Sequence, residues 1–321
     1  MQAREADMKK FLKFTAAALV ATTSLTTMAA AEYPERPVTY IEPWAPGDVD
    51  DQLLRILVEE FNKQTGVPGK VVNRSGGFGI EGAQALASSP PDGYTVGNLL
   101  IDIPTSYIVQ GVAPYKRDDF EVVGLFMNFP FVLVGRADAP YSNIAELAEY
   151  AKSNPVKFAH FGFETLPAQQ TFEAARQHGF EFATETGYDL TECSTLASGD
   201  ADVMNTTMGL MLACMDKVKV LAAYTQNPIS LVPNAPLLSE QVEGAAFPLW
   251  SGLFVPAGTP QEVKDRLAEM AQKALQSDRA RQFAETTGTE IYWQGAEEAQ
   301  ARIDANYAAI EALFAKNKKG N

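Results

Sequence analysis

The 321-residue chain has few of the residues from which catalytic and metal centres are assembled, with only two histidines and two cysteines. His160 stands at the end of a strand-like run and His178 directly before Gly179, where a helix terminus falls. Neither has a nucleophile beside it in sequence, so both read as core or surface residues, with His160 near enough to the expected pocket to touch a ligand. No Gly-x-Ser-x-Gly elbow occurs, which removes the α/β-hydrolase reading. No Cys-x-x-Cys or Cys/His spacing occurs, which leaves no metal site. We therefore expect no catalytic residue, no metal and no cofactor. After the N-terminal segment no stretch approaches the roughly 20 apolar residues of a membrane helix. Basic residues are scarce, 26 against 40 acidic ones, for a net charge of −14. With no basic stripe carrying interleaved aromatics, nucleic acid is not an expected partner. There is no internal repeat and no low-complexity linker.

What is present begins with a leader. Lys9, Lys10 and Lys13 precede an apolar stretch from Phe14 to Leu25, and Ala29-Ala30-Ala31 supplies the small residues of a cleavage site. Residues 1–31 thus read as a secretory signal peptide, with Met8 as an alternative start and an uncleaved anchor as the rival reading. The mature chain is expected to begin near Glu32. Loss of Arg4, Lys9, Lys10 and Lys13 together with Glu5 and Asp7 takes the net charge from −14 to −16. The remaining length exceeds what one core usually serves, which suggests two lobes. Cys193 and Cys214 both enter an oxidising compartment. A disulfide and two small buried apolar side chains both fit, because sequence does not give the Cα separation.

Two glycine-bearing loops stand out, each after a short apolar run. Pro43-Trp44-Ala45-Pro46-Gly47 follows Val38 to Ile41, and Asn73-Arg74-Ser75-Gly76-Gly77-Phe78-Gly79 follows Val71-Val72. A helical pattern succeeds each loop, so backbone N–H groups are left free at helix N-termini, a site for a small anionic or polar ligand. Leu53, Leu57 and Phe61 share a helix face ending at Gly66; Asp51 is the expected N-cap. Thr259-Pro260-Gln261-Glu262 predicts a helix opening, with Val263, Leu267, Met270 and Leu275 inward. A last helix presents Ile303, Tyr307, Ile310 and Phe314. Strand-like runs fall at 95–100, 122–126, 131–134, 156–159, 201–204 and 218–223. Strands alternating with helices predict α/β sheets, enough for two.

Tyr33-Pro34 with Arg36-Pro37, the first loop, Asn73-Arg74-x-Gly76, Pro91-Asp92-Gly93-Tyr94-Thr95, Tyr115 with Asp119-Phe120, Ser198-Gly199-Asp200-Ala201-Asp202-Val203-Met204, and Pro256-Ala257-Gly258-Thr259-Pro260 occur in a known order. Together they resemble the periplasmic solute-binding proteins of tripartite tricarboxylate transporters, the Bug family, over nearly the whole mature chain. The resemblance implies a non-catalytic, two-lobed α/β "Venus flytrap" of type II, each lobe a mostly parallel or mixed sheet flanked by helices. Lobe one is placed at 32–126 and 250–321 and lobe two at 127–249, with crossing strands near 122–134 and 249–255. It further implies a periplasmic monomer that captures a small organic, carboxylate-containing solute and delivers it to membrane permease subunits. In such proteins backbone amides of a loop pincer hold a ligand carboxylate. Carried over, the pincer comprises Trp44, Pro46, Gly47, Asp48 and Asp50, then Ser75, Gly76, Gly77, Phe78 and Gly79. Lobe two supplies Phe161, Gly162, Phe163, Glu164 and Thr165, then Tyr188 and Asp189, then Asn205 and Thr206.

The chain departs from the family pattern in one direction. Pro-Gly-Gly-Gly becomes Pro46-Gly47-Asp48-Val49, Glu81 replaces an aliphatic residue, Gly-Ser-Ser-Gly is shortened to Phe161-Gly162-Phe163-Glu164, and Tyr-Lys-Gly reads Tyr188-Asp189-Leu190. Added negative charge disfavours a second ligand carboxylate and favours an amine, hydroxyls or a ring. Against this, Asp48 and Asp50 also fit solvated loop positions, and Glu81 fits the positive end of a helix dipole. Trp44, Phe78, Phe161 and Phe163 fit either core packing or ligand stacking; Trp250 fits hinge packing. Two rivals remain. Gly77-Phe78-Gly79-Ile80-Glu81-Gly82 matches Gly-x-Gly-x-x-Gly with Asp102 some 20 residues on, as in a dinucleotide enzyme. A sensor module for a membrane receptor uses the same fold.

Overall fold

The computed structural model describes residues 33–244 and 246–319; the expected signal peptide lies outside the described residues. The strands are β1 (Val38–Glu42), β2 (Gly69–Asn73), β3 (Thr95–Leu100), β4 (Phe120–Asn128), β5 (Phe131–Arg136), β6 (Lys157–His160), β7 (Thr184–Gly187), β8 (Val203–Thr207), β9 (Val218–Ala223), β10 (Trp250–Pro256) and β11 (Glu290–Gly295). One sheet runs β11-β4-β10-β3-β1-β2 and the other β7-β6-β8-β5-β9. Both are mixed. β1 pairs in parallel with β2 and β3, and β6 with β7 and β8, as expected where helices return the chain. β10 runs antiparallel between β3 and β4, and β5 antiparallel between β8 and β9.

Runs 95–100 and 218–223 coincide with β3 and β9. Unanticipated are β7, polar and exposed along its length, and the half-buried edge strand β11. An edge strand has no second partner and little apolar face to bury, so alternation is weak there.

The helix Val49–Thr65 buries the expected Leu53, Leu57 and Phe61 and stops at Gly66, whose φ of 71° suits glycine. Its cap differs from expectation. Asp48, not Asp51, is the N-cap, and its carboxylate accepts the Val49 N–H at 2.7 Å. The helix Gln261–Leu275 also starts one position late: Pro260 caps it, and the Thr259 hydroxyl donates to the Pro256 carbonyl. Its four predicted inward residues are buried. In the helix Ala296–Lys319, Ile303 and Ile310 are buried, while Tyr307 packs under the Arg117 guanidinium, 4.3 Å from the ring centre.

Cys193 and Cys214 form a disulfide with Cα atoms 6.1 Å apart, which settles the open pairing. It lies against a buried cluster that includes Leu196, Met208 and Met211. The chain leaves the six-stranded sheet at Phe129-Pro130, between β4 and β5, and returns through Leu249 into β10. The two crossings are joined, since the Phe129 N–H donates to the Leu249 carbonyl at 2.9 Å. Trp250 is fully buried beside them, its indole N–H on Asn306 Oδ1 at 2.8 Å, so its place is in the core beside the crossings.

Candidate ligand-binding site

The first loop is held by carboxylates of its own chain. The Trp44 N–H donates to Glu42 Oε1 (3.3 Å), the Gly47 N–H to Asp51 Oδ2 (2.9 Å) and the Val49 N–H to Asp48 Oδ1 (2.7 Å). Asp51 further accepts from the Arg55 guanidinium at 2.8 Å and from the Asn73 side-chain amide at 2.8 Å, tying this loop to the end of β2. Pro46 and Gly47 are exposed at its tip.

The second loop is different. Gly77, Phe78 and Gly79 take φ of 61°, 55° and 93°, three successive left-handed residues of which only Phe78 carries a side chain. Its carbonyl accepts the Tyr107 hydroxyl at 2.8 Å. The amides of Gly79, Ile80 and Glu81 turn back onto Ser75, Gly77 and Gly76. The N–H groups of Ser75, Gly76, Gly77 and Phe78 make no hydrogen bond among the described residues. Four consecutive unbonded amides can face an anion, with the Glu81 carboxylate of the same loop packed directly against Gly76.

Phe78 reaches the other sheet. Its ring lies so close to Gly162 that a Cβ there would stand 2.6 Å from Phe78 Cγ, and a Cβ on Gly187 would stand 3.1 Å from Cζ. Three more contacts join the two sheets. Gln110 Nε2 donates to the Glu164 carbonyl at 2.7 Å, Trp44 meets Phe161 edge-on at 6.3 Å, and Asp102 Oδ1 accepts the Leu166 N–H at the start of the helix Leu166–Gln177. Behind the Phe161 loop, buried His160 accepts the Gly162 N–H on Nδ1 at 3.0 Å, so its Nε2–H faces Glu185. Burial lowers its pKa while Glu185 opposes the shift, and the ring is neutral.

Between the sheets lies a narrow cavity, with room for little more than one water molecule in this arrangement of the sheets. Of the expected residues, Trp44, Asp48, Phe161 and Thr165 line it. The others stand elsewhere. Phe163 is 48% exposed and packs on Phe172; Asp189 is exposed; Glu164 is half-exposed; Tyr188 packs against the disulfide cluster. Asn205 and Thr206 are fully buried in β8, Asn205 bonded to Tyr224 and Thr171, and Thr206 to the Thr191 carbonyl.

Asp48 and Asp50 are buried rather than solvated, at 6% and 0% exposure. Neither oxygen of Asp50 makes a well-formed hydrogen bond among the described residues; its neighbours are the carboxylates of Glu42 and Asp48, so a bond to Glu42 requires one of the pair to be protonated. Burial first holds both Glu42 and Asp50 well above the ordinary carboxylate range; repulsion from Asp50 adds to it at Glu42, and repulsion from Asp48 adds to it at Asp50, where the hydrogen bond with Glu42 opposes the shift. Burial pushes Asp48 to about 6, opposed by the Val49 N–H, and pushes Asp102 to about 6, opposed by Leu166 and Ser106. Burial also acts on Asp51, but Arg55, Gly47 and Asn73 outweigh it and keep it low.

The sequence pattern names neither Glu42 nor Phe131 and places Asp102 only in the rival dinucleotide-like motif. Asp102 was visible as an acid at a strand end. The structure uses it to hold a helix N-terminus of the facing sheet. Likewise Gly82, the last glycine of the dinucleotide-like motif, is needed because a Cβ would stand 2.9 Å from the Arg74 carbonyl and 3.0 Å from Pro43 Cα.

Residues 53–317 match the family model described as the tripartite tricarboxylate transporter family receptor. The chain is 30% identical over 267 residues to the "UPF0065 protein in tcbD-tcbE intergenic region" of Pseudomonas sp. (strain P51), covering 80% of each. It superposes on the periplasmic binding protein BugD with a TM-score of 0.78 at 27% identity, covering 88% of this chain and 98% of that one. It also superposes on MatC of Rhodopseudomonas palustris, solved with bound malate, with a TM-score of 0.76 at 24% identity, covering 87% and 100%.

Proposed function

The chain belongs to the tripartite tricarboxylate transporter receptor family, and on that premise we propose that it captures a small organic solute carrying a carboxylate and delivers it to membrane permease subunits. The family is one of solute-binding receptors rather than enzymes. We further infer a secreted, periplasmic monomer, with residues 1–31 removed on export. Lobe one is taken as 32–126 and 250–321 and lobe two as 127–249.

One observation carries the carboxylate: the four unbonded amides of Ser75 to Phe78, on a loop whose Gly79 packs against Trp44, a residue of the cavity lining. Backbone donors hold an anion without burying a fixed cation, whose desolvation costs several kcal/mol. Malate in MatC is a small carboxylate on the same fold. Closure is then a population shift, because only the shut arrangement brings Trp44 and Asp102 of one sheet together with Phe161 and Thr165 of the other.

A thermal-shift screen of the mature protein against carboxylates, amino acids, aromatic acids and amines tests this. We expect saturable stabilisation by at least one carboxylate-bearing solute and recovery of that solute unchanged. No stabilisation by any class, or recovery of a chemically altered solute, refutes it.

A further inference from the structure

We propose that the solute is an α-amino monocarboxylate, its ammonium group held in the cavity by Asp48 and Asp102; this rests on the receptor reading above and narrows its substrate class. Both carboxylates line the same cavity. Each commits one oxygen to the backbone: Asp48 Oδ1 to the Val49 N–H, and Asp102 Oδ1 to the Leu166 N–H and, at 3.0 Å, the Ser106 hydroxyl. Oδ2 of each has no hydrogen bond among the described residues. No basic side chain lines the cavity to neutralise them, and Arg55 is engaged with Asp51 and Asn73 outside it.

The rest of the lining fits a compact cation with an apolar body. Trp44, Phe129, Phe131 and Phe161 supply ring faces that attract an ammonium group. Trp44 adds an independent sign of a ligand. Its indole is 95% buried and its N–H has no partner among the described residues, an arrangement that costs free energy unless an acceptor arrives. The ligand carboxylate is that acceptor, since Trp44 also lies against Gly79 of the loop with the free amides.

A second carboxylate finds no place. The free N–H at the start of the helix Leu166–Gln177 is where an anion would dock, and Asp102 occupies it from the opposite sheet. In the first loop, Glu42, Asp48 and Asp51 fill the amides in the same way. Asp48 and Asp102, raised only to about 6, remain mostly charged at neutral pH, where an amine is protonated. The chain's own carboxylates thus stand where a di- or tricarboxylate would place its charges.

The test is calorimetric titration of the mature protein with L-leucine and L-phenylalanine, each beside its amine-free counterpart, 4-methylpentanoate and 3-phenylpropionate, and with succinate and citrate. We expect an amino acid to bind at least about tenfold more tightly than its amine-free counterpart and than either polycarboxylate. Asp102→Asn and Asp48→Asn keep the oxygen that accepts the backbone N–H, so both should fold, with retained circular dichroism as the check. Each should erase most of the amine preference while leaving the amine-free acids unchanged or better bound. Tight succinate or citrate binding, or an amine preference that survives both substitutions, overturns this inference and leaves the receptor reading standing. No binding by any of the six overturns this inference, and the receptor reading then stands or falls with the wider thermal-shift screen.

Discussion

Gly162→Ala separates the cost of backbone strain from the cost of blocked closure. Gly162 sits at φ +133°, which side-chain-bearing residues rarely adopt, so alanine there carries about 1–3 kcal/mol of strain whether the lobes are open or shut. The second cost exists only when shut, because the new Cβ would stand 2.6 Å from Phe78 Cγ and 2.9 Å from Cδ1. The ring has little room to retreat, with Gly187 at its far end and its own carbonyl held by Tyr107. Overpacking of this kind costs about 1–3 kcal/mol, or roughly a 5- to 150-fold loss of affinity if closure accompanies binding. Scanning calorimetry of the unliganded protein reads the strain, and titration with the tightest ligand of the screen reads the closure. The two separate in a cycle with Phe78→Ala. In that background Gly162→Ala should still lower stability but should no longer weaken binding. An equal loss of affinity in both backgrounds would show that Phe78 and Gly162 do not meet in the ligand-bound state, and the closed arrangement would have to be abandoned.

Three further outcomes follow from the site. Asp102, at about 6 when folded against 3.8 as its reference, binds a proton more readily folded than unfolded, so its contribution to stability is fullest below pH 3.8 and is lost as pH rises through 6. Urea unfolding of wild type against Asp102→Asn should therefore converge near pH 4 and diverge in favour of the variant by up to about 3 kcal/mol at pH 7; parallel curves would refute the assignment. Reduction of Cys193–Cys214, or Ser at both, should cost about 3 kcal/mol because the bridge closes a loop of 21 residues; an unchanged melting temperature would count against it. Asp51→Ala should remove the acceptor shared by the Gly47 N–H, Arg55 and Asn73, leaving only the Asn73–Trp44 and Arg55–Asn73 bonds, at a cost of about 1–2 kcal/mol, whereas a loss below about 0.5 kcal/mol in urea would mean that Asp51 does not tie the two loops.

Much of this protein is determined by local sequence. Leu53, Leu57 and Phe61 at helical spacing before Gly66, and the apolar runs 95–100 and 218–223, specify their elements because burying one face satisfies each of them whatever lies opposite. The two glycine loops were legible for the same reason, since left-handed φ at Gly77 and Gly79 requires glycine. Loop aspartates were not legible in this way. Asp48 takes the cap expected of Asp51, and Asp51 instead ties the first loop to the end of β2, because an N-cap depends on where the first turn closes. Asp102 shows the limit more sharply. Its sequence neighbours mark a strand end, but the N–H that it satisfies belongs to Leu166, 64 residues away in the facing sheet. Only the tertiary structure brings that helix terminus, Trp44 and the aromatic rings of the crossing strands around one cavity. A carboxylate's preference for solvent, cap or ligand is set by which donors surround it, and at Asp102 the backbone donor comes from the facing sheet.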